Sequence, residues 1–193
     1  MNRAEIKARA RQALGNGIFQ TNWIMAIVAI LVYALISGAS SVTYVGQLIL
    51  YGPLTFGLVY VFMKQSRDGQ QIQLGDLFKG FSEDFGGNLV LGLLITIFTA
   101  LWSLLFVIPG IIKGYSWKMS FYIKADHPEY GWKECMDASA QMMNGHKMEL
   151  FILELSFIGW AIVGSLCLGV GSLWVSAYMQ AAEAEFYKEI SQY

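Results

Sequence analysis

Residues 23–63 read WIMAIVAILVYALISGASSVTYVGQLILYGPLTFGLVYVFM, 41 consecutive positions without an Asp, Glu, Lys or Arg. A helix needs about 20 mostly apolar residues to cross a hydrocarbon layer, so this run has room for two. Two further runs, 85–112 and 155–182, are 28 residues each and equally free of charge. All 13 basic and 14 acidic residues fall in the remaining half of the 193-residue chain, which is 55% hydrophobic and 14% charged. An ordinary soluble domain carries about 25% charged residues and has no need to segregate them. A bilayer imposes that segregation, because an unpaired charge at its centre is costly. The pattern excludes disorder, a coiled coil, a disulfide scaffold and a free cytosolic enzyme.

The first run is expected to turn near Ser37-Gly38-Ala39-Ser40-Ser41, giving helices over 19–37 and 42–64. Gly52-Pro53 lies in the second of these and is a candidate helix break, since proline removes a backbone donor and crowds the preceding turn. A broken helix at membrane depth frees carbonyls for an ion or substrate; a plain kink is the alternative. The second run predicts a helix over 88–108, stopped by Pro109-Gly110. The third, with 148–151 leading in, predicts a helix to residue 168, a break at Gly169-Val170-Gly171 and a return over 172–190.

Between them lies 111–125, apolar except for Lys113, Lys118 and Lys124, and charge decides whether it crosses. If it does, 11 of the 13 basic residues share one side with both termini; if not, the split is six against seven. The positive-inside rule therefore predicts an all-α polytopic transmembrane bundle of six spans with both termini cytoplasmic. Fifteen residues cover only about 22 Å at ~1.5 Å each, short of the ~30 Å hydrocarbon core. This helix is expected to be buried among the others or to sit where the membrane thins.

Residues 1–193 read as one integral membrane domain, with 1–17 a basic amphipathic helix and 65–87 and 126–147 cytoplasmic amphipathic segments. Arg3, Lys7, Arg9 and Arg11 beside Ile6, Ala10 and Leu14 suit a headgroup layer. The apolar run after them is far longer than a signal peptide's, so the first helix is expected to be uncleaved. Leu74, Leu77, Phe78, Phe81 and Phe85 form one helical stripe. Asp126-His127-Pro128-Glu129 has a capping-box pattern, opening a helix whose stripe is Trp132, Cys135, Met136, Ser139, Met142 and Met143, with Gly145 as its stop. Residues 129–137 carry a net charge of −2, which anionic lipid does not attract, so this helix is expected to pack on the protein's own underside. Trp23 and Trp174 fit interfacial belts, while Trp102 and Trp160 read as buried in the bundle.

A formal net charge of −1 offers nucleic acid no basic field. Cys135 and Cys167 lie in unlike surroundings and read as small buried thiols rather than a bridge. No phosphate-binding glycine loop, zinc signature or nucleophile elbow occurs. His127 and His146 sit at helix ends and read as contacts to backbone groups, and His127 with Glu129 is a weak metal pair. No catalytic residue, cofactor or metal is expected, and the protein reads as a non-enzyme. The sharper candidates are ionisable or polar residues at membrane depth: Lys118, Glu154, Gln180 and Glu183, a possible polar cluster opening to the cytoplasm, with Lys118 paired to Glu154 or Glu183. The plainer alternative is a snorkelling lysine and two glutamates marking the water boundary. Gly110/Gly114, Ser172/Ser176 and Ala177/Ala181 read as close-packing faces.

Several blocks resemble a bacterial membrane family catalogued as domain of unknown function 975: 75–81 (GDLFKGF), 101–113 (LWSLLFVIPGIIK), 122–129 (YIKADHPE), 142–147 (MMNGHK), 155–160 (LSFIGW) and Tyr178-Met179-Gln180. Residues 2–5 (NRAE) and Gly52-Pro53-Leu54 extend the likeness to nearly the whole chain. The resemblance implies a polytopic membrane protein and supplies no activity, cofactor or catalytic residue. The leading expectation is a non-catalytic protein acting through the lipid bilayer, a membrane-protein partner or its own copies. A small carrier or channel using the charged cluster and the Gly52-Pro53 break is the alternative, weakened because no internal repeat is visible between the halves. A membrane enzyme acting on lipids is the third.

Overall fold

The computed structural model describes residues 3–15, 17, 20–40, 44–166 and 170–191. Every regular element among them is helical: α1 (Arg3–Leu14), α2 (Thr21–Ser40), α3 (Tyr44–Asp68), a 3₁₀ helix (Leu74–Phe78), α4 (Lys79–Ser82), α5 (Phe85–Leu105), α6 (Val107–Trp117), α7 (Ser120–Asp126), α8 (Trp132–Met142), α9 (Lys147–Leu166) and α10 (Val170–Ile190). Among the described residues three stretches, Thr21–Ala39, Gly46–Asp68 and Phe85–Leu105, are long and apolar enough to cross a membrane, with mean hydropathies of 2.0, 1.4 and 2.1. The other expected spans differ from these in kind. The fourth is divided into α6 and α7, and α9 and α10 carry Glu149, Glu154, Glu183 and Glu185.

Several boundaries differ from the sequence expectation for identifiable reasons. α2 continues through Gly38 and Ala39 to Ser40, where a turn was expected; Ser41, like Cys167 and Gly169, falls outside the described residues. α3 runs unbroken through Gly52-Pro53, which corrects the reading of that pair as a helix break. Pro109-Gly110 does not end α5 either. That helix stops at Leu105, Phe106 is extended at φ −157° and ψ 135°, and Pro109 sits in the first turn of α6, where an N–H would have no helical acceptor in any case. Residues 107–126 then cover about 30 Å at ~1.5 Å per residue, so α6 and α7 together have the length that 111–125 alone lacked.

Glycine lets these helices touch. A Cβ on Gly52 would overlap the Asn88 carbonyl of α5, one on Gly57 the Leu77 carbonyl, and one on Gly80 the Pro53 carbonyl. Gly52 is therefore a contact point for α5 rather than a hinge. Gly110 lies against the Ser103 backbone, joining α6 to α5, and Gly164 against Gly171 joins α9 to α10. Small residues permit the backbone approach that van der Waals packing needs when lipid is the alternative neighbour. Ala177 and Ala181 are buried on α10, which packs against α1, α2, α3 and α9.

The amphipathic segments are bound up with the bundle. Ile6, Ala10 and Leu14 are all 1% exposed or less; α1 turns its apolar stripe into the protein, Arg9 pairs with Glu189 of α10, and Arg3, Glu5 and Arg11 are exposed. Its Lys7 ammonium stands 4.1 Å over the Phe157 ring, and Tyr178 Oη donates to the Lys7 carbonyl at 2.9 Å. The next segment is a 3₁₀ turn followed by a short helix, so its stripe divides. Leu77 is buried, while Phe78 and Phe85 are exposed and flank Phe81 in a row, Phe78 tilted and Phe85 stacked against it, centroids 6.4 and 6.1 Å apart. α8 begins at Trp132 rather than at Asp126, with the Gly131 N–H donating to Glu134 Oε2 at 2.7 Å. Asp126 instead closes α7, holding Arg67 and accepting from Tyr187 Oη at 2.6 Å. Cys135, Met136, Ser139 and Met143 are buried as the stripe predicted; burial pushes the Cys135 thiol up to about 11, far from a reactive thiolate.

The tryptophans correct the belt assignment. Trp102 and Trp160 lie on the outside of the bundle at 39% and 64% exposure, whereas Trp23 is 4% exposed, its indole N–H donating to the Gly15 carbonyl at 2.9 Å.

Candidate functional site

The helix that starts at Val107 is interrupted at Lys118 and Met119, which form a turn between α6 and α7. The interruption is supported from the side: Ser139 Oγ of α8 donates to the Ser116 carbonyl at 2.8 Å, a carbonyl that a continuous helix would have paired with the amide four residues on. From this turn the Lys118 ammonium reaches Glu154 Oε1 on α9 and lies 3.1 Å from Glu183 Oε1 on α10. Tyr115, one turn back on α6, donates to the other Glu154 oxygen at 2.5 Å, its ring set edge-on against Phe151.

The sequence left open whether Lys118 pairs with Glu154 or Glu183; the structure brings it to both. Side-chain exposures are 30% for Lys118, 19% for Glu154 and 5% for Glu183. A group so enclosed relies on its partners rather than on water, and one ammonium here serves two carboxylates. With both carboxylates ionised the cluster carries one uncompensated negative charge.

A cavity of about 950 Å³ opens beside this cluster, bounded by α3, α5, α6, α7 and α10 with Tyr33 of α2. Lys118, Glu183, Gln180 and Tyr122 form its polar end; Tyr51, Trp117 and Phe121 supply aromatic wall, and Thr55, Thr96 and Thr99 add hydroxyls. It extends toward Gln47 and Ser103, near the α3 N-terminus and the α5 C-terminus. A smaller cavity of about 320 Å³ lies on the Glu154 side, and Thr99, Ser103, Gly114 and Lys118 line both. The Lys118 side chain thus stands between the two spaces. Thr99 Oγ1 and the Tyr122 hydroxyl are buried without a hydrogen-bond partner, leaving two polar groups with bonding capacity beside the larger cavity.

The remaining candidates fall elsewhere. Gly52 and Pro53 sit in the α3 contacts with α5 and α4, outside both cavities. His127 Nδ1 lies 3.0 Å from Glu129 Oε1 and His146 Nδ1 lies 2.7 Å from Glu149 Oε2, so both histidines engage carboxylates rather than the backbone groups expected. Among the described residues no group of three or more His, Cys, Asp or Glu side chains is placed to hold a metal. Tyr115, Tyr122 and the helix interruption were missed. The two tyrosines follow the spacing i−3 and i+4 about Lys118, which sets them on its face of a helix, and that spacing was the available signal.

The family model described as Protein of unknown function (DUF975) matches residues 1–116 and 104–193, which together take in every position of the chain. The chain belongs to that family. No curated protein and no solved structure matches it. Membership brings no activity with it, so the chemistry of the Lys118 cavity has to be read from its own geometry. That geometry is a half-open, largely apolar space with a few convergent polar groups, a form common to small-molecule sites.

Proposed function

We propose that this family member is a six-span integral membrane protein of the bacterial inner membrane, both termini cytoplasmic, that binds a small molecule inside its helix bundle without catalysing a reaction. The observation that carries the binding role is the 950 Å³ cavity ending on Lys118 and Glu183. The span count is supported by the placement of charge. The three expected spans that carry charge contribute one member each to the cluster, Lys118 from the α6–α7 unit, Glu154 from α9 and Glu183 from α10. Charged side chains of membrane helices face the bundle interior and pair with one another, and each of these spans places one such residue in the cluster.

Two experiments test the binding role. Native mass spectrometry of the protein from mild detergent should show a retained small molecule that Thr55→Trp, which fills the cavity, does not retain. In liposomes, solute flux that disappears with Lys118→Ala would extend the role to a carrier. A wild type that retains nothing and passes no more solute than empty liposomes would refute both. A second reading, action through a protein partner or another copy, is favoured by the apolar turn between α5 and α6. There Leu104, Phe106, Val107 and Ile108 are 84%, 71%, 68% and 71% exposed, an apolar tip of the kind that marks contact with lipid or protein. Copies cross-linking through Phe106→Cys in native membranes would support it.

A further inference from the structure

The larger cavity has a charge imbalance as well as a volume. Of the residues lining it, only Lys118 and Glu183 carry charge, and Lys118 is already shared with Glu154 behind it. The polar end therefore presents Glu183 with half of one ammonium to balance it. The wall beside it is aromatic: Tyr51 and Phe121 meet edge to face with centroids 6.4 Å apart, and Trp117 continues the surface. Ring faces attract cations through their quadrupole, tryptophan most strongly. An anionic ligand would find the lysine occupied and would add a second uncompensated negative charge beside Glu183, whose side chain is only 5% exposed. A neutral ligand would fill the space and leave the imbalance untouched.

We infer that the cavity takes a monovalent organic cation with an apolar body, of quaternary ammonium or phosphonium type. Its charge lies against Glu183, and its body lies among Tyr51, Trp117 and Phe121. This rests on the ligand-binding role proposed above and specifies the class of ligand. Glu154, on the far side of Lys118, sets the sign of the site without touching the ligand.

Tetraphenylphosphonium and tetraphenylborate have nearly the same shape and opposite charge, and triphenylphosphine oxide is a neutral relative. Equilibrium dialysis of each against the full chain in detergent, with protein-free micelles subtracted, separates charge from shape. The expected result is saturable binding of one tetraphenylphosphonium per chain, at least tenfold tighter than either other probe. Glu183→Gln should abolish that preference while keeping the unfolding midpoint of a folded protein. Glu154→Gln, which leaves the cavity surface intact, should also reduce it by removing the excess negative charge. Equal binding of all three probes, or preference for the borate, would overturn the inference and leave the cavity a binding site of another class. No saturable binding of any probe to wild type would overturn the inference and count against the binding role as well. The comparison of probes on wild type needs no variant to fold.

Discussion

Asp84 caps α5 from a left-handed backbone conformation, φ +48°, with one carboxylate oxygen accepting from the Gly87 N–H at 3.1 Å and the other 2.6 Å from the Lys124 ammonium. Asparagine tolerates that conformation and still caps, whereas alanine does neither. Asp84→Ala should therefore cost about 1–2 kcal/mol of stability and Asp84→Asn clearly less, read from thermal unfolding in detergent. The hydrogen bond from Lys124 holds the Asp84 carboxyl below its ordinary value of 3.8. A carboxyl lowered in the folded state stabilises it above the ordinary pKa, and that contribution is lost as pH falls below 3.8 toward the folded value. The unfolding midpoint should drop over that acid window in wild type and drop less in Asp84→Asn; identical profiles would contradict the pairing. Lys118 calls for a different comparison. Replacing it with Met strands two enclosed carboxylates and should cost about 3 kcal/mol or more. Adding Glu154→Gln and Glu183→Gln to that variant should recover most of the loss, because an apolar and neutral cluster strands no charge. A triple variant no better than the single would show that the three residues do not act as one cluster.

The contact of α3 with the 3₁₀ helix and the Lys124 anchor show what helices add to single residues. Gly57 faces the Leu77 carbonyl with no room for a methyl group, so Gly57→Ala should cost about 1–3 kcal/mol through forced backbone displacement. Gly69→Ala is no control because its φ is +62°, whereas Gly86 meets nothing within 4 Å, so Gly86→Ala should be near neutral by the same measurement. Lys124 is 4% exposed, and besides Asp84 it donates to the Pro128 and Tyr130 carbonyls at 2.8 Å each. It thus ties the loop between α7 and α8 to the start of α5. The sequence could place helices because the charge-free runs and their glycine and proline breaks are local features. It could not locate the interruption at Lys118, because both residues of that turn keep right-handed helical dihedrals and Ser139, which satisfies the freed carbonyl, comes from a later helix. It misassigned Pro109 for a related reason: proline is compatible with a helix start as well as a helix stop, and only the extended Phe106 separates the two.

Seen whole, the chain brings together charges that sequence spacing keeps 29 to 65 positions apart, Lys118 with Glu154 and Glu183 across three helices. Composition pointed to a hydrocarbon solvent, and among the described residues three helices are long and apolar enough to cross one. That these three charges meet was open in the sequence, since a lone lysine at that depth reads equally well as snorkelling. The cavity was not readable at all, because a space is defined by what several helices leave unfilled. The proposed topology depends most on the α6–α7 unit crossing: with six spans Gln70 and Glu129 lie on the same side as the N-terminus, and with five Glu129 lies opposite. In a background with Cys135 and Cys167 replaced by Ser, single Gln70→Cys and Glu129→Cys variants can be exposed to a membrane-impermeant thiol reagent in intact cells. The six-span bundle predicts that neither labels until the cells are permeabilised, after which both do. Labelling of Glu129→Cys but not Gln70→Cys in intact cells would contradict it.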